Sequence, residues 1–172
     1  MATSIPSNLN PLSPNGFQFS ITKLPDITFH CQQVNLPGIN LGEPAFSTPF
    51  STQPVPGDTL AYDPLTVQFL VDENMANYKT LYNWIVALGF PESYQQYIAG
   101  NATDKVGYSD LAKNYSDATL QILDSNNQAI QTLQFYDVFP TTIDSITFAS
   151  TNDDVNYVVA NVTFKFGWYK LL

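Results

Sequence analysis

Between Gly42 and Pro64 the chain carries five prolines, Pro44, Pro49, Pro54, Pro56 and Pro64. Each removes a backbone donor and fixes φ at about −65°, so this stretch does not suit the interior of a sheet. Long structureless connections are uncommon in compact domains, and those that occur are usually functional or disordered. This one also holds Phe46, Phe50, Val55, Leu60 and Tyr62, apolar residues that solvated linkers lack. It reads as an ordered arm over 42–62 that packs against something other than its own backbone.

The segments around the arm alternate as strands do. In "FQFSITK", Phe17, Phe19 and Ile21 share a face; in "ITFHCQQV", Ile27, Phe29 and Cys31 do. "KLPD" between them offers a hairpin turn. "LTVQFLV" follows the arm, with Leu65, Val67, Phe69 and Val71 facing inward. A helix is expected over 74–88, capped by Asp72 or Asn74 and stopped at Gly89 with Pro91 beyond. Its buried stripe reads as Met75, Tyr78, Tyr82 or Leu81, Ile85 and Leu88. Strands return at 117–123 and 129–138 around the polar turn "DSNNQ", then at 143–148. A last strand over 156–170 would place Val158, Ala160, Val162, Phe164, Phe166 and Trp168 on one side. At some fifteen residues it exceeds the usual ~5–6, and its ends would need partners outside the chain's own sheet.

The expected architecture is therefore mainly β: an antiparallel sandwich or barrel of about seven strands with one flanking α-helix and an extended proline-rich loop. Residues 1–16, with Pro6, Pro11 and Pro14 among Ser and Asn, read as an extended lead-in. Residues 17–172 read as a single β domain, a size that supports a real core.

Charge limits the function classes. Fifteen acids face six lysines and no arginine, for a net charge of −9. Without guanidinium forks and with this excess of carboxylate, tight nucleic-acid binding is not expected. The N-terminus lacks the basic and apolar regions of a secretory signal, no run approaches the ~18 apolar residues of a membrane span, and the Asn-x-Ser/Thr triplets at Asn101, Asn114 and Asn161 then carry no meaning.

Catalytic and metal chemistry is thinly represented. His30 and Cys31 are single residues of their type, and on one strand they would point to opposite faces. His30 therefore reads as a structural or interface residue and Cys31 as a small buried hydrophobe. "DSNNQ" lacks the glycine and terminal glutamate of a calcium loop, having Ala129 and Phe135 there. Asp153 and Asp154 read as a solvated turn pair. No catalytic residue, cofactor or metal is expected, and the chain does not read as an enzyme. Tyr94, Tyr97 and Tyr108 would suit either packing or, in a carbohydrate-binding module, a sugar platform.

In order, "FHC" at 29–31, "LPG" at 36–38, "PGD" at 56–58, "LTVQFLVDE" with the helix after it, and "ILDSNNQAIQTLQFYDVFPTTIDSITF" followed by "VTFKFGWY" resemble the tail-tube proteins of contractile-tailed bacteriophages. The resemblance runs from about Gly16 to the end. It implies a β-sandwich subunit forming hexameric rings that stack into a hollow conduit for the genome. Implied partners are further copies of the chain, the tail sheath and baseplate proteins, and DNA that passes through the lumen without tight binding, with no membrane. It implies a place in the virion tail after assembly in the host cytoplasm. Baseplate-tube initiators and tube terminators share the pattern. The arm then becomes the contact to a neighbouring subunit or ring, through Phe46, Phe50, Pro54, Val55, Pro56, Gly57, Asp58, Leu60 and Tyr62. With this net charge, acids lining the lumen would repel passing DNA.

Overall fold

The computed structural model describes residues 11–47, 49–89, 91–95, 114–149 and 157–172. Residues 1–10 of the lead-in expected over 1–16, and the residues Tyr97, Tyr108, Asn101, Asp153 and Asp154, lie outside them.

The chain is mainly β. Its main sheet has seven antiparallel strands: β1 (Phe17–Ile21), β2 (Cys31–Val34), β7 (Leu65–Leu70), β8 (Ser116–Leu123), β9 (Ala129–Ile143), β10 (Val159–Lys165) and β11 (Trp168–Leu171). They run in the order β1-β8-β9-β10-β7-β2, with β11 also on β9. The strands between β2 and β7 form two small ribbons, β3 (Ile39–Leu41) with β6 (Leu60–Tyr62), and β4 (Ala45–Ser47) with β5 (Thr52–Pro54). Among the described residues, helical segments include α1 (Pro25–His30) and α2 (Ala76–Gly89).

β9 holds this arrangement together by serving two layers. Its first part pairs β8 on one side and β11 on the other; its second part pairs β10. The change comes at Tyr136–Val138, where the β8 register slips and Asp137 takes a positive φ of 57°. An extra residue in one strand sharpens its bend and twist. The inward residues Leu133 and Phe135 before the bend, and Val138 after it, all reach one core with Phe19, Leu120, Val67, Phe69, Val162 and Phe164. Pro140 sits in the second part opposite Phe164, a part with a ladder on one side, where the missing N–H leaves no gap.

Several local expectations are corrected. The strand expected over 27–34 is a helix through His30 followed by a four-residue strand. Pro25 stands at the start of α1 and Asp26 in its first turn, as helix N-termini favour, and Leu24 and Ile27 are both buried. β1 accordingly pairs β8 rather than forming a hairpin with this segment. The long last strand is instead two strands broken at Phe166–Gly167. The break shifts the phase, so that Tyr169 and not Trp168 lies opposite buried Phe135. The longest strand is β9, which absorbs the start of the strand expected over 143–148, and the residues after Ile143 are not in a strand.

α2 begins two residues later than expected and buries Asn77, Leu81 and Ala87, while Met75 and Tyr82 are exposed. Tyr78 and Trp84 pack against the core. The expected caps, Asp72 and Asn74, are not the side chains that tie the helix start. Fully buried Asn77 does so: its Nδ2 donates to Leu70 O at 2.8 Å, and its Oδ1 accepts from Tyr78 N at 2.7 Å and Asp72 N at 3.3 Å. The "DSNNQ" turn does close a hairpin. Asp124 Oδ1 accepts from Asn126 N and Gln128 N, at 2.8 and 2.9 Å, and Asn127 takes φ of 59°.

The bend at Asp137 makes a direct prediction. A β-branched residue in the left-handed region is strained by about 1–3 kcal/mol. Asp137→Val should lower the unfolding free energy measured by urea titration by that amount, whereas Asp137→Gly should leave it unchanged or raise it.

Candidate assembly surface

The proline-rich stretch is not a loop but an outward continuation of the β2–β7 pair. Asn35 joins the two legs at the base. Its backbone N donates to Thr66 O at 3.2 Å, its Oδ1 accepts from Thr66 N at 2.6 Å, and its Nδ2 donates to Pro64 O at 3.1 Å. Asp63 N then donates to Gly38 O at 3.0 Å, and the β3–β6 ribbon begins. Beyond it Gly42 N donates to Thr59 O at 2.9 Å and Gly57 N to Gly42 O at 2.6 Å. Val55 N donates to Pro44 O at 3.1 Å, and the β4–β5 ribbon carries the hairpin to its tip.

This ladder explains how so many prolines are accommodated. Pro44 and Pro56 stand between the ribbons, Pro49 at the tip, Pro64 at the base between β6 and β7, and Pro54 in a two-stranded ribbon whose outer edge has no ladder to interrupt among the described residues. Gly57 is required by close approach, because a Cβ there would collide with the Gly42 carbonyl oxygen. Each leg has about twelve residues, which bounds the reach of the hairpin at roughly 40 Å.

The arm is rooted by rings. Tyr62 lies 5.6 Å from Phe166 and 5.5 Å from Tyr169, and both pack on Phe135. The Tyr169 hydroxyl donates to Pro37 O at 3.3 Å. Past this root the arm has almost no core. Ile39, Leu41, Phe46, Val55 and Leu60 are all exposed, and Phe50 at the tip is 98% exposed. Exposed apolar residues gathered on one element mark an interaction surface more often than isolated ones do. Leu41, Glu43, Pro54, Val55 and Pro56 line a shallow notch of about 230 Å³, smaller than the ~300–1,000 Å³ of small-molecule sites.

The nine residues singled out from sequence therefore lie on one projecting element. Tyr62 is half-buried at its root, Gly57 is half-buried at a pinch between the ribbons, and the other seven are exposed. Asn35 and the Phe135–Phe166–Tyr169 cluster escaped sequence reasoning. The available signal was an amide just before "LPG" and aromatic residues far along the chain, whose meeting depends on tertiary pairing.

The remaining candidates have structural surroundings. His30 Nε2 lies 3.0 Å from Asp72 Oδ1, and its Nδ1 lies 3.1 Å from Asp26 O, which links α1 to the approach of α2. Cys31 is half-buried and burial pushes its thiol up to about 11, so it stays protonated and unreactive near neutral pH. Tyr94 is exposed. Among the described residues no group of three or more His, Cys, Asp or Glu is placed to hold a metal ion, and no helix is long and apolar enough to cross a membrane.

Comparison with known proteins adds to this geometry. A family model described as phage tail tube protein matches residues 4–172. The tail tube terminator protein of Enterobacteria phage T4 is 28% identical over 151 residues, 84% of this chain and 77% of that protein. A chain of the tube-terminating cap of the anti-feeding prophage superposes with a TM-score of 0.66 at 14% identity, over 100% of this chain and 99% of that one. A chain of the extended sheath–tube complex of an extracellular contractile injection system (PVC) superposes at 0.62 with 15% identity, over 95% and 93%. These structural likenesses are likenesses of fold.

The arm's two ends should respond differently to truncation. Tyr62→Ala removes a half-buried ring from the root and should destabilise the isolated chain by about 2 kcal/mol or more. Phe50→Ala should shift its urea midpoint by less than about 0.5 kcal/mol equivalent, because the ring touches solvent.

Proposed function

The chain belongs to the phage tail tube protein family, and from that premise we propose that it is the subunit of a ring that ends the tail tube. The observation that carries the terminal position is its 28% identity to a tail tube terminator over most of both chains. Family and fold are those of structural tail proteins, not of enzymes. A component of the virion tail is what such a chain supplies.

The arm and the free sheet edges support association with further copies. Among the described residues β11 has a ladder on one side only, as do β1 and β2. Exposed strand edges are open to pairing unless they are protected. A neighbouring copy in a hexameric ring would satisfy them, and closure of the ring would remove them. The apolar residues of the arm would be buried against the adjoining copy or ring, at about 25 cal/mol per Å² of apolar surface. The prolines and the ladder fix the arm beforehand, so less conformational entropy is lost on docking. Contacts with sheath and with the tube below follow from a place at the tube's end, and DNA would pass through the ring.

A second reading is the repeating tube subunit itself. The exposed apolar hairpin favours it equally, since a stacking contact repeated along a tube needs the same device. Copy number separates the two. Quantitative mass spectrometry of purified tails should find this chain at a single ring's worth, far below the major tube component. An abundance equal to that of the sheath would assign it to the tube wall.

Deleting Glu43–Thr59 tests the arm. The account expects a folded, soluble chain with an unchanged far-ultraviolet circular dichroism spectrum and no higher assembly in negative-stain images. Loss of the folded spectrum would make the arm part of the core instead.

A further inference from the structure

Asn15 stands directly before Gly16, and every other asparagine of the chain is followed by a residue with a side chain. The pairing has chemical consequences, for asparagine is among the thermolabile residues. Its carboxamide carbon can be attacked by the backbone nitrogen of the next residue, closing a five-membered imide. A side chain on that next residue hinders closure, and glycine has none.

The fold explains why glycine is there. Leu123 N donates to Gly16 O at 2.9 Å, one rung beyond the β1–β8 ladder that starts at Phe17 and Ile122. At this approach a Cβ on residue 16 would stand 2.9 Å from Leu123 O and 3.3 Å from Leu123 Cβ. The nearest atom is main chain, which yields far less than the end of a side chain. The β1–β8 junction therefore excludes the group that would shield Asn15.

The surroundings leave the reaction open. Asn15 is exposed, in a turn with Pro14. Among the described residues neither its carboxamide nor the Gly16 N–H has a hydrogen-bond partner. Other asparagines differ. The nitrogen that would attack Asn126 is that of Asn127, which donates to Asp124 O at 3.0 Å. The one that would attack Asn127, Gln128 N, donates to Asp124 Oδ1 at 2.9 Å. Buried Asn77 has its carboxamide held by Leu70 O and Tyr78 N.

We propose that Asn15–Gly16 is a site of spontaneous main-chain modification whose co-reactant is water. The Gly16 nitrogen loses its proton to solvent base and attacks Asn15 Cγ. The new C–N bond forms as the Cγ–Nδ2 bond breaks, and the amide nitrogen leaves as ammonia with a proton from solvent. Water then opens the imide. Opening at one carbonyl gives aspartate; opening at the other gives isoaspartate, whose main chain runs through the former side chain. In sum, carboxamide and water become carboxylate and ammonium, with no change of oxidation state. Each event makes a chain of net charge −9 more negative. Isoaspartate also adds a methylene to the main chain just before β1. The Gly16 O–Leu123 N rung lies beyond that insertion, so β1 keeps its register on β8 while the preceding residues are redirected.

The test incubates the full chain in mildly alkaline buffer at physiological temperature over days. Peptide mass mapping with fragmentation locates the amide-to-acid mass gain. Methyl transfer from S-adenosylmethionine by protein-L-isoaspartate methyltransferase reports isoaspartate. The gain should appear at Asn15, with methyl acceptance, while Asn126 and Asn127 stay unchanged over the same period. Its rate should rise with pH and lie within several-fold of the rate in the guanidinium-unfolded chain. Asn15→Gln, which would need a larger ring to close, should abolish both signals while leaving the circular dichroism spectrum unchanged. A folded-chain rate orders of magnitude below the unfolded one would overturn the proposal, because the turn would then hold the nitrogen out of reach. Methyl acceptance that persists in the Asn15→Gln chain would overturn it too, and a mass gain without methyl acceptance would overturn its isoaspartate branch.

Discussion

The backbone ladder that runs from β2 and β7 out to the β4–β5 ribbon is the constraint on which the functional account depends. It holds a hairpin away from the body with little hydrophobic support of its own. The root is secured by the Asn35 clip and by Tyr62 against Phe166 and Tyr169. Beyond that root, order comes from main-chain hydrogen bonds and proline stiffness, and the apolar side chains stay in water. An isolated two-stranded ribbon is marginal by itself. Such an element gains most when a second surface covers it, which is the physical reason to read the chain as a part of something larger.

The body supplies a rigid base. β9 bends at Asp137 and so contributes to both layers, while beyond the Phe166–Gly167 break the chain continues in the same direction along the first part of β9 as β11. The aromatic root of the arm lies at that same junction, because Phe166 and Tyr169 flank the break. One bulge and one break thus shape the sheet and position the arm, and changes at either would be felt at the other.

Much of this was legible in the sequence. Strict alternation in "LTVQFL" placed Leu65, Val67 and Phe69 inward, where all three are fully buried. The prolines of 42–62 mark a stretch outside the main sheet, but its ladder was hidden, since pairing between distant short strands leaves no periodic trace. The α1 segment misled because "ITFHC" alternates like a strand. Pro25 and Asp26 were the competing helix-start signal, and burial of Leu24 with Ile27 decided the outcome. Trp168 misled for a different reason: alternation counts through Gly167 as if the strand continued, whereas the break reverses which residues face the core.

The central claim is that the arm and the open strand edges are completed by other copies of this chain. Amide hydrogen exchange on the isolated protein and on its assembled form measures this most directly. The account predicts rapid exchange in the isolated chain at the outward-edge amides of the arm ribbons and of β11, and strong protection of the same amides after assembly, with the core strands little changed. Assembled rings in which the arm and β11 exchange as fast as in the free chain would contradict it.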